Sequence, residues 1–396
     1  MLTQLSVKNY KSIESLDLKL GPLTVFIGPN NAGKTNILDV FRIISSRLDA
    51  FESGSPNPLP TKDFLFHGAQ SNVIEIALDG NLDDSKQEYF EYKIGIRDNS
   101  GFLTFAGPET LYEYLADTKA PVRIFRFDTR DWQINLDVPG QEASNLSQIN
   151  IAQNSPGLGQ VVRHLSGLHL DASIKAKFKS AVYLDTLFRN YALFNLDPSR
   201  MRDRKKVHAQ TKLQELGENL AEVVHTIHAK HRRPHFDLIE RYLTAIVPEI
   251  TELISDLEKN ETFIAVKEPE SEIAIPSFSL PDGVLKLIGV LTVLNSPGKP
   301  PLIAIEEPEN FIHPHAQNML AEHLINYSKK HQLMLTTHSP TFLSNFPLES
   351  VVVVERKEGR TVVHRPADEK DLKKRLNEAG LSLGDAWYAG HLGGVN

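Results

Sequence analysis

The hydrophobic positions of this chain change period along its length, and the period predicts the elements. Residues 2–8 alternate as a half-buried strand does, and Leu23 to Ile27 (LTVFI) is a short apolar run leading straight into a glycine-rich segment. From Asn36 to Leu48, the residues Ile37, Leu38, Val40, Phe41, Ile43 and Ile44 recur at helical spacing. The segment SPNPLPTKDF, 55–64, reads as a loop. Strand-like runs follow at 73–79, 89–97 and 122–127, with short connections that favour antiparallel pairing. A second break, NSPGLGQ at 154–160, precedes a mostly helical stretch from Ala172 to about Val247. Strands resume at 262–268, and residues 281–295 begin with helix-start chemistry and continue as an apolar helix. Then come a buried strand ending in acids (301–309), an amphipathic helix (316–330), a strand with a polar exit (332–340) and a closing hairpin (351–356 with 360–365).

The glycine-rich segment carries chemistry. Gly28-Pro29-Asn30-Asn31-Ala32-Gly33-Lys34-Thr35 fits G-x-x-x-x-G-K-[ST] without a mismatch, between a strand and a helix. Glycines let backbone N–H groups turn inward on a phosphate chain, and the following helix adds its positive end. Asn30, Asn31, Ala32, Gly33, Lys34, Thr35 and Asn36 are therefore the candidate nucleotide-binding residues, with ATP and Mg²⁺ as the expected ligands. Lys34 is expected at the β/γ-phosphates and the Thr35 hydroxyl on Mg²⁺. The apolar run Leu302 to Ile305 ends in Glu306 and Glu307. In a P-loop protein the first acid holds the metal and the second orients the attacking water, so Glu306 is assigned to Mg²⁺ and Glu307 to the water. Thr336-Thr337-His338-Ser339 leaves the next strand, where a histidine can contact the γ-phosphate. The expected fold is thus α/β, with a P-loop and an antiparallel β lobe.

Composition narrows this further. At 396 residues the chain exceeds what a single core usually supports, so two lobes or a domain plus insertion are expected. No apolar run approaches the ~20 residues that cross a bilayer, the N-terminus lacks a signal-peptide core, and cysteine is absent. A cytoplasmic protein is expected. The net charge of −7 confines any nucleic-acid contact to a local patch.

The order P-loop, signature-like helix, EEPE and TTHSP resembles the ABC-type ATPase heads of the RecF, SMC and OLD (overcoming lysogenization defect) group. VKNYKSI, 7–13, is similar to their opening strand, and EEPENFIHPHAQ, 306–317, to the EEPE-x-x-x-HP of OLD-type heads, with Asn310 to Pro314 on the D-loop. The tail SLGDAWYAGHLGG, 382–394, looks like the ending of stand-alone predicted ATPases in this group. The resemblance implies an ATP-sandwich homodimer, in which the signature loop of one subunit caps the γ-phosphate held by the other. By position that loop is Leu280-Pro281-Asp282-Gly283, making Asp282 and Gly283 cofactor-binding residues. Family members usually carry serine where Pro281 stands, and losing a hydrogen bond to a phosphate costs about 1.5–3 kcal/mol. Ser279 compensates if the loop is displaced; alternatively Pro281 simply starts the helix. Tyr10 and Lys11 match positions near the nucleotide in related heads, and Gln70 and Gln148 are the candidates for the Q-loop glutamine.

The resemblance gives three segments: an N-terminal lobe over 1–165, a compact helical insertion over 166–255, too short and heptad-free for an SMC-type arm, and a C-terminal lobe over 256–396. Two basic clusters in the middle segment could bind DNA phosphates: Arg200, Arg202, Arg204, Lys205, Lys206 and Lys212, then Lys230, Arg232 and Arg233. Glu355 ends a strand as a toprim glutamate does, but 41 residues follow it without a D-x-D, so a nuclease centre is not expected here. His313, His315 and His338 are poorly spaced for zinc. The expected role is an ATP-gated dimeric switch in DNA repair or anti-phage defence, with a separately encoded effector. The alternatives are an ABC transporter ATPase subunit and a non-hydrolysing scaffold.

Overall fold

The computed structural model describes residues 1–52, 64–83, 85, 87–98, 103–114, 122–128, 133–136, 148–150, 157–167, 178–269 and 271–394. The loop expected over 55–64 lies outside this set up to residue 63, as does the 172–177 start of the helical stretch. The strands are β1 (Leu2–Tyr10), β2 (Ile13–Lys19), β3 (Leu23–Ile27), β4 (Val73–Asn81), β5 (Tyr89–Asp98), β6 (Leu103–Tyr114), β7 (Val122–Asp128), β8 (Gln133–Leu136), β9 (Gln148–Asn150), β10 (Ala192–Phe194), β11 (Lys205–Lys206), β12 (Glu252–Glu258), β13 (Glu261–Lys267), β14 (Ile275–Pro276), β15 (Leu302–Glu306), β16 (Gln332–Thr336), β17 (Val351–Lys357) and β18 (Arg360–His364). The α-helices are α1 (Lys34–Glu52), α2 (Gly157–Gly167), α3 (Lys179–Asn190), α4 (Pro198–Met201), α5 (Leu220–His231), α6 (Asp237–Ile246), α7 (Asp282–Asn295), α8 (Pro314–Ser328), α9 (Pro340–Leu343), α10 (Leu372–Ala379) and α11 (Leu383–Tyr388).

Two compact units interleave along the sequence. The first comprises Met1–Pro22, Asn30–Tyr191 and Val354–His364; the second comprises Leu23–Pro29, Ala192–Val353 and Arg365–Asn396. The helices expected to form one insertion over 166–255 are divided between them, α3 in the first and α5 and α6 in the second.

The first unit is built on an antiparallel sheet ordered β2-β1-β4-β5-β6-β7-β8-β9. Val7 lies opposite Leu16 on one side and Ile76 on the other, and Ile76 opposite Ile94, so one face is apolar. Helices α1 and α2 both pack against α3. Two carboxylates project from β6 into buried surroundings and tie helix starts to the sheet. Glu109 accepts from the N–H groups of Gly157 (2.6 Å) and Leu158 (3.0 Å) and from the Tyr92 hydroxyl (2.8 Å). Glu113 accepts from the Ser180 N–H at 2.9 Å and from its hydroxyl. Each offers negative charge to the unpaired donors of a first helical turn. Burial nonetheless pushes the Glu109 carboxyl up to about 7.

The second unit is built on a parallel sheet in which β10, β15, β16, β3 and β17 are neighbours in that order. These strands read as unbroken apolar runs because both faces are covered. Helix α7 is buried from Leu285 to Asn295. Val223, Ile227, Ile239 and Leu243 of α5 and α6 join the same core as Leu287, Ile288 and Leu291 of α7. Helix α6 packs on α7, whereas α5 packs on strands β12 and β13. A small antiparallel sheet, β11-β13-β12 with β14 on β13, lies in the same unit. β17 leaves the second unit at Val354. It turns into β18 through Glu358 (φ 50) and Gly359 (φ 79), the left-handed pair of a tight hairpin.

Candidate functional site

The parallel sheet aligns the functional segments at one edge of the second unit. Glu306 at the end of β15 lies opposite Thr336 at the end of β16, and Thr336 lies opposite Phe26 of β3. The Thr337 N–H donates to the Phe26 carbonyl at 3.0 Å. The chain therefore enters the glycine loop beside the acids and the TTHS segment, at the carboxyl ends of adjacent strands, where open α/β sheets bind ligands.

Glu307 and His338 are brought together. The Glu307 backbone is left-handed (φ 45), and its N–H donates to the Thr336 carbonyl (3.1 Å). Its carboxylate lies 3.5 Å from His338 Nε2 and accepts from the Asn310 amide. Sequence reasoning missed Glu309. That residue is 2% exposed, accepts from the Thr337 hydroxyl at 2.5 Å and the His338 N–H at 3.4 Å, and so fixes the histidine's backbone. Burial first, with a contribution from Glu307, raises its carboxyl to about 6. Lys286 was also missed. It is buried in α7, donates to the Leu196 carbonyl at 2.9 Å, and faces the charges of Glu309, Glu307, Asp197 and Glu306. Burial lowers its ammonium nonetheless. The signal for both was legible only in part: an acid inside EEPE, and one lysine in an apolar helix.

In the first unit, Asn31 (φ 63) and Gly33 (φ 107) shape the loop ahead of α1. Ala32 and Lys34 are buried, Asn31 and Thr35 exposed, and Asn30 and Asn36 intermediate or exposed at its margins. The Asn36 amide donates to Ser12 Oγ at 2.7 Å. A cavity of about 720 Å³ is lined by Lys11, Ser12, Asn36, Gln70, Asn72 and Arg356, among others. Gln70 thus stands beside the loop, whereas the Gln148 side chain is outside the described set. Lys11 is held by Asp39 at 2.5 Å, with Arg42 on the same carboxylate at 3.0 Å. Tyr10, expected near the nucleotide, is buried at the end of β1. It is 1% exposed, and its ring stacks on Phe64.

The signature-like loop is pinned from within its own unit. Pro281 is the N-cap of α7 and carries no capping hydroxyl; Ser279 is exposed on the preceding 3₁₀ turn. Arg202 donates to the carbonyls of Ser277 (3.3 Å), Phe278 (3.3 Å) and Leu280 (2.6 Å) and pairs with the Asp282 carboxylate. Gly283 packs so closely on the D-loop that a Cβ there would lie 2.3 Å from the Phe311 carbonyl oxygen.

Other expected features fare differently. In the first basic cluster, Arg200, Arg202, Arg204 and Lys205 are paired with Asp197, Asp282, Glu258 and Asp203, which cancels much of its field. Side chains of Arg232 and Arg233 are outside the described set. His313 caps α8, its Nδ1 accepting from the His315 N–H at 3.3 Å, and Glu355 pairs with Lys357 at 2.6 Å. Among the described residues, no helix is long and apolar enough to cross a membrane.

Residues 23–344 match a family model described as "AAA domain, putative AbiEii toxin, Type IV TA system". The chain is 24% identical over 395 residues to the OLD nuclease of Thermus scotoductus, covering 94% of this chain and 65% of that protein. It is 21% identical over 388 residues to the Old nuclease of Escherichia phage P2, covering 93% and 61%. The chain therefore spans less than two thirds of the length of these curated relatives. A solved SMC head bound to the C-winged helix domain of ScpA aligns with TM-score 0.53 at 15% identity, over 94% of this chain and 99% of that one. An SMC head with an extended coiled coil, bound to the C-terminal domain of ScpA derived from Pyrococcus furiosus, aligns with TM-score 0.52 at 13% identity, over 96% and 99%. These alignments show an ABC-type P-loop head fold.

Proposed function

The chain belongs to this AAA-domain family and is an ATPase head of the OLD and RecF-like type; from that premise we propose that it binds and hydrolyses ATP as a nucleotide-gated dimeric switch. The observation that carries the proposal is the common sheet edge from which β3, β15 and β16 deliver the glycine loop, Glu306 with Glu307, and His338. In this reading, backbone N–H groups of Asn30 to Thr35 and the Lys34 ammonium hold the phosphates. Glu307, held by Asn310 and beside His338, orients the attacking water and accepts its proton. His338 reports the γ-phosphate. Asp282 and Gly283 present the signature loop to a second copy of the chain.

Mg²⁺ is part of the same proposal. The Thr35 hydroxyl and Glu306 are oxygen ligands of the kind Mg²⁺ takes. Burial first, and then the charge of Glu307, raises the Glu309 carboxyl, and a cation nearby would offset that repulsion. Bound there, Mg²⁺ would neutralise charge on the phosphates.

The relatives are named nucleases, and the effector we propose for the switch is a separately encoded protein such as a nuclease, in DNA repair or anti-phage defence. DNA contact would use the basic residues between 200 and 233, among which Arg202 and Arg204 are already paired with Asp282 and Glu258. The test is steady-state ATPase on wild type beside Glu307→Gln and Lys34→Ala. Wild-type turnover abolished in both supports the switch. Nucleotide binding without turnover, even with DNA and effector present, supports the scaffold that Pro281 favours.

A further inference from the structure

The phosphate loop is not shaped by its own residues alone. Asn31 and Gly33 are both left-handed, and a non-glycine residue is held in that region only where its surroundings impose it. The surroundings here come from the β17–β18 hairpin, more than three hundred residues later and in the same unit. The Arg356 guanidinium donates to the Asn31 carbonyl at 3.2 Å and to its Oδ1 at 3.4 Å. The buried Thr361 hydroxyl donates to the Ala32 carbonyl at 2.8 Å.

The direction of the second contact is fixed by its neighbours. Ser12 Oγ and Thr361 Oγ1 are 2.6 Å apart, and either could donate. A carbonyl can only accept and an amide NH₂ can only donate. The Asn36 amide donates to Ser12 Oγ at 2.7 Å, and Thr361 gives its proton to Ala32. Ser12 must then donate to Thr361. The result is a one-way chain, Asn36 to Ser12 to Thr361 to the Ala32 carbonyl, in which each hydroxyl gives one hydrogen bond and receives one. The Thr361 N–H donates to the Ser12 carbonyl at 2.7 Å, holding the two segments in register.

We infer that Arg356 and Thr361 are positioning residues for phosphate binding, clamping two consecutive carbonyls of the loop so that its N–H groups face the anion. An anion cradle presents its N–H groups inward, and a carbonyl turned inward would set its negative end against the phosphate. Two carbonyls with donors of their own cannot flip inward without leaving those donors unpaired. Gly33 shows how closely the clamp is applied: a Cβ there would lie 2.1 Å from Thr361 Oγ1. The inference rests on the nucleotide-binding reading above and assigns the loop's geometry to a hairpin outside the P-loop motif.

The test is calorimetric titration of the full chain with Mg-ATP and with inorganic triphosphate, which has phosphates and no nucleoside. Thr361→Val keeps the branched shape and removes the hydroxyl. It is expected to weaken both ligands in parallel by about tenfold, with Thr361→Ser restoring both. Arg356→Gln, at an exposed position, is the second variant and is expected to weaken both by about threefold to tenfold. A purely structural role would lower the melting temperature of the free protein and leave the two ligands without a common loss. Affinities within twofold of wild type in Thr361→Val and Arg356→Gln overturn the clamp while the nucleotide reading stands. A Thr361→Ser variant as weak as Thr361→Val also overturns it. Wild type that binds neither ligand overturns the nucleotide reading and the clamp together.

Discussion

A single added carbon at Gly33 tests the reasoning about the loop most severely. In Gly33→Ala the new Cβ would meet Thr361 Oγ1 at 2.1 Å, Ser12 Oγ at 2.9 Å and Thr361 Cγ2 at 3.1 Å. Real Cβ atoms do not approach so closely, so the Thr361 side chain must move. Moving it removes the donor to the buried Ala32 carbonyl, which costs about 1–3 kcal/mol. The backbone adds its own penalty. With φ at +107, the position is one that a side-chain-bearing residue adopts at about 1–3 kcal/mol. Together these give roughly 2–6 kcal/mol, or about 30-fold to more than 10⁴-fold in an equilibrium constant.

The cost falls on folding if the loop keeps its shape without ligand, and on binding if it relaxes. Both must be measured: the denaturation midpoint of the free protein, and Mg-ATP affinity by titration. The clash term predicts a further outcome. Gly33→Ala combined with Thr361→Ala should be no worse than Gly33→Ala alone, because the first change already breaks what the second removes. A Gly33→Ala protein with midpoint and affinity both unchanged would refute the argument, and so would strict additivity of the two substitutions.

Three other predictions follow from single residues. The Glu109 carboxyl is raised from 4.5 to about 7 by burial, so the folded state binds its proton more tightly than the unfolded state; stability is fullest below pH 4.5 and falls by roughly 3 kcal/mol as pH rises through 7. Glu109→Gln should flatten that fall in urea midpoints taken from pH 4.5 to 8, and an unchanged slope would count against it. Arg202→Ala should free the signature-like loop, speeding amide exchange over 277–283 while β15 and β16 keep their protection; equal exchange in both proteins would show that the arginine does not pin the loop. Pro281→Ser gives α7 a capping hydroxyl, raising stability by about 1 kcal/mol, and should raise ATP turnover at high protein concentration if the loop serves a second copy; no change in either would show that Pro281 limits neither the helix start nor the loop.

What the sequence revealed depended on whether a segment's burial was apolar. β3, β15, β16 and β17 announced themselves because both faces of a parallel sheet are covered and the runs are unbroken. β6 did not. Its inward positions include Glu109 and Glu113, and a Gly-Pro step interrupts it, so the alternation that marks a strand is hidden by carboxylates that cap helices. β12 was missed for a related reason: within ELISDLE, the one buried residue is Leu253. At the candidate site, local motifs were enough to nominate Gly28 to Asn36, Glu306, Glu307 and His338. Those that act across the fold were not. Arg356 and Thr361 lie on a hairpin with no motif, and Glu309 sits inside EEPE as a spacer would.

The same distinction governs how the site can come into being. β3 lies between β16 and β17, so the strand that feeds the glycine loop gains its two hydrogen-bonded neighbours only from residues 332–336 and 351–353. The loop's carbonyls gain their donors later still, from Arg356 and Thr361. Pairing over such sequence separation is slow, because chain entropy is lost before the contacts form. Local propensity can start α1 early, but the hydrogen bonds that the hairpin gives to the Asn31 and Ala32 carbonyls form only once it docks. Phosphate binding therefore depends on closure of the fold by residues far from the P-loop motif. A lesion in β17 or β18 should weaken nucleotide binding even though every residue of GPNNAGKT is intact.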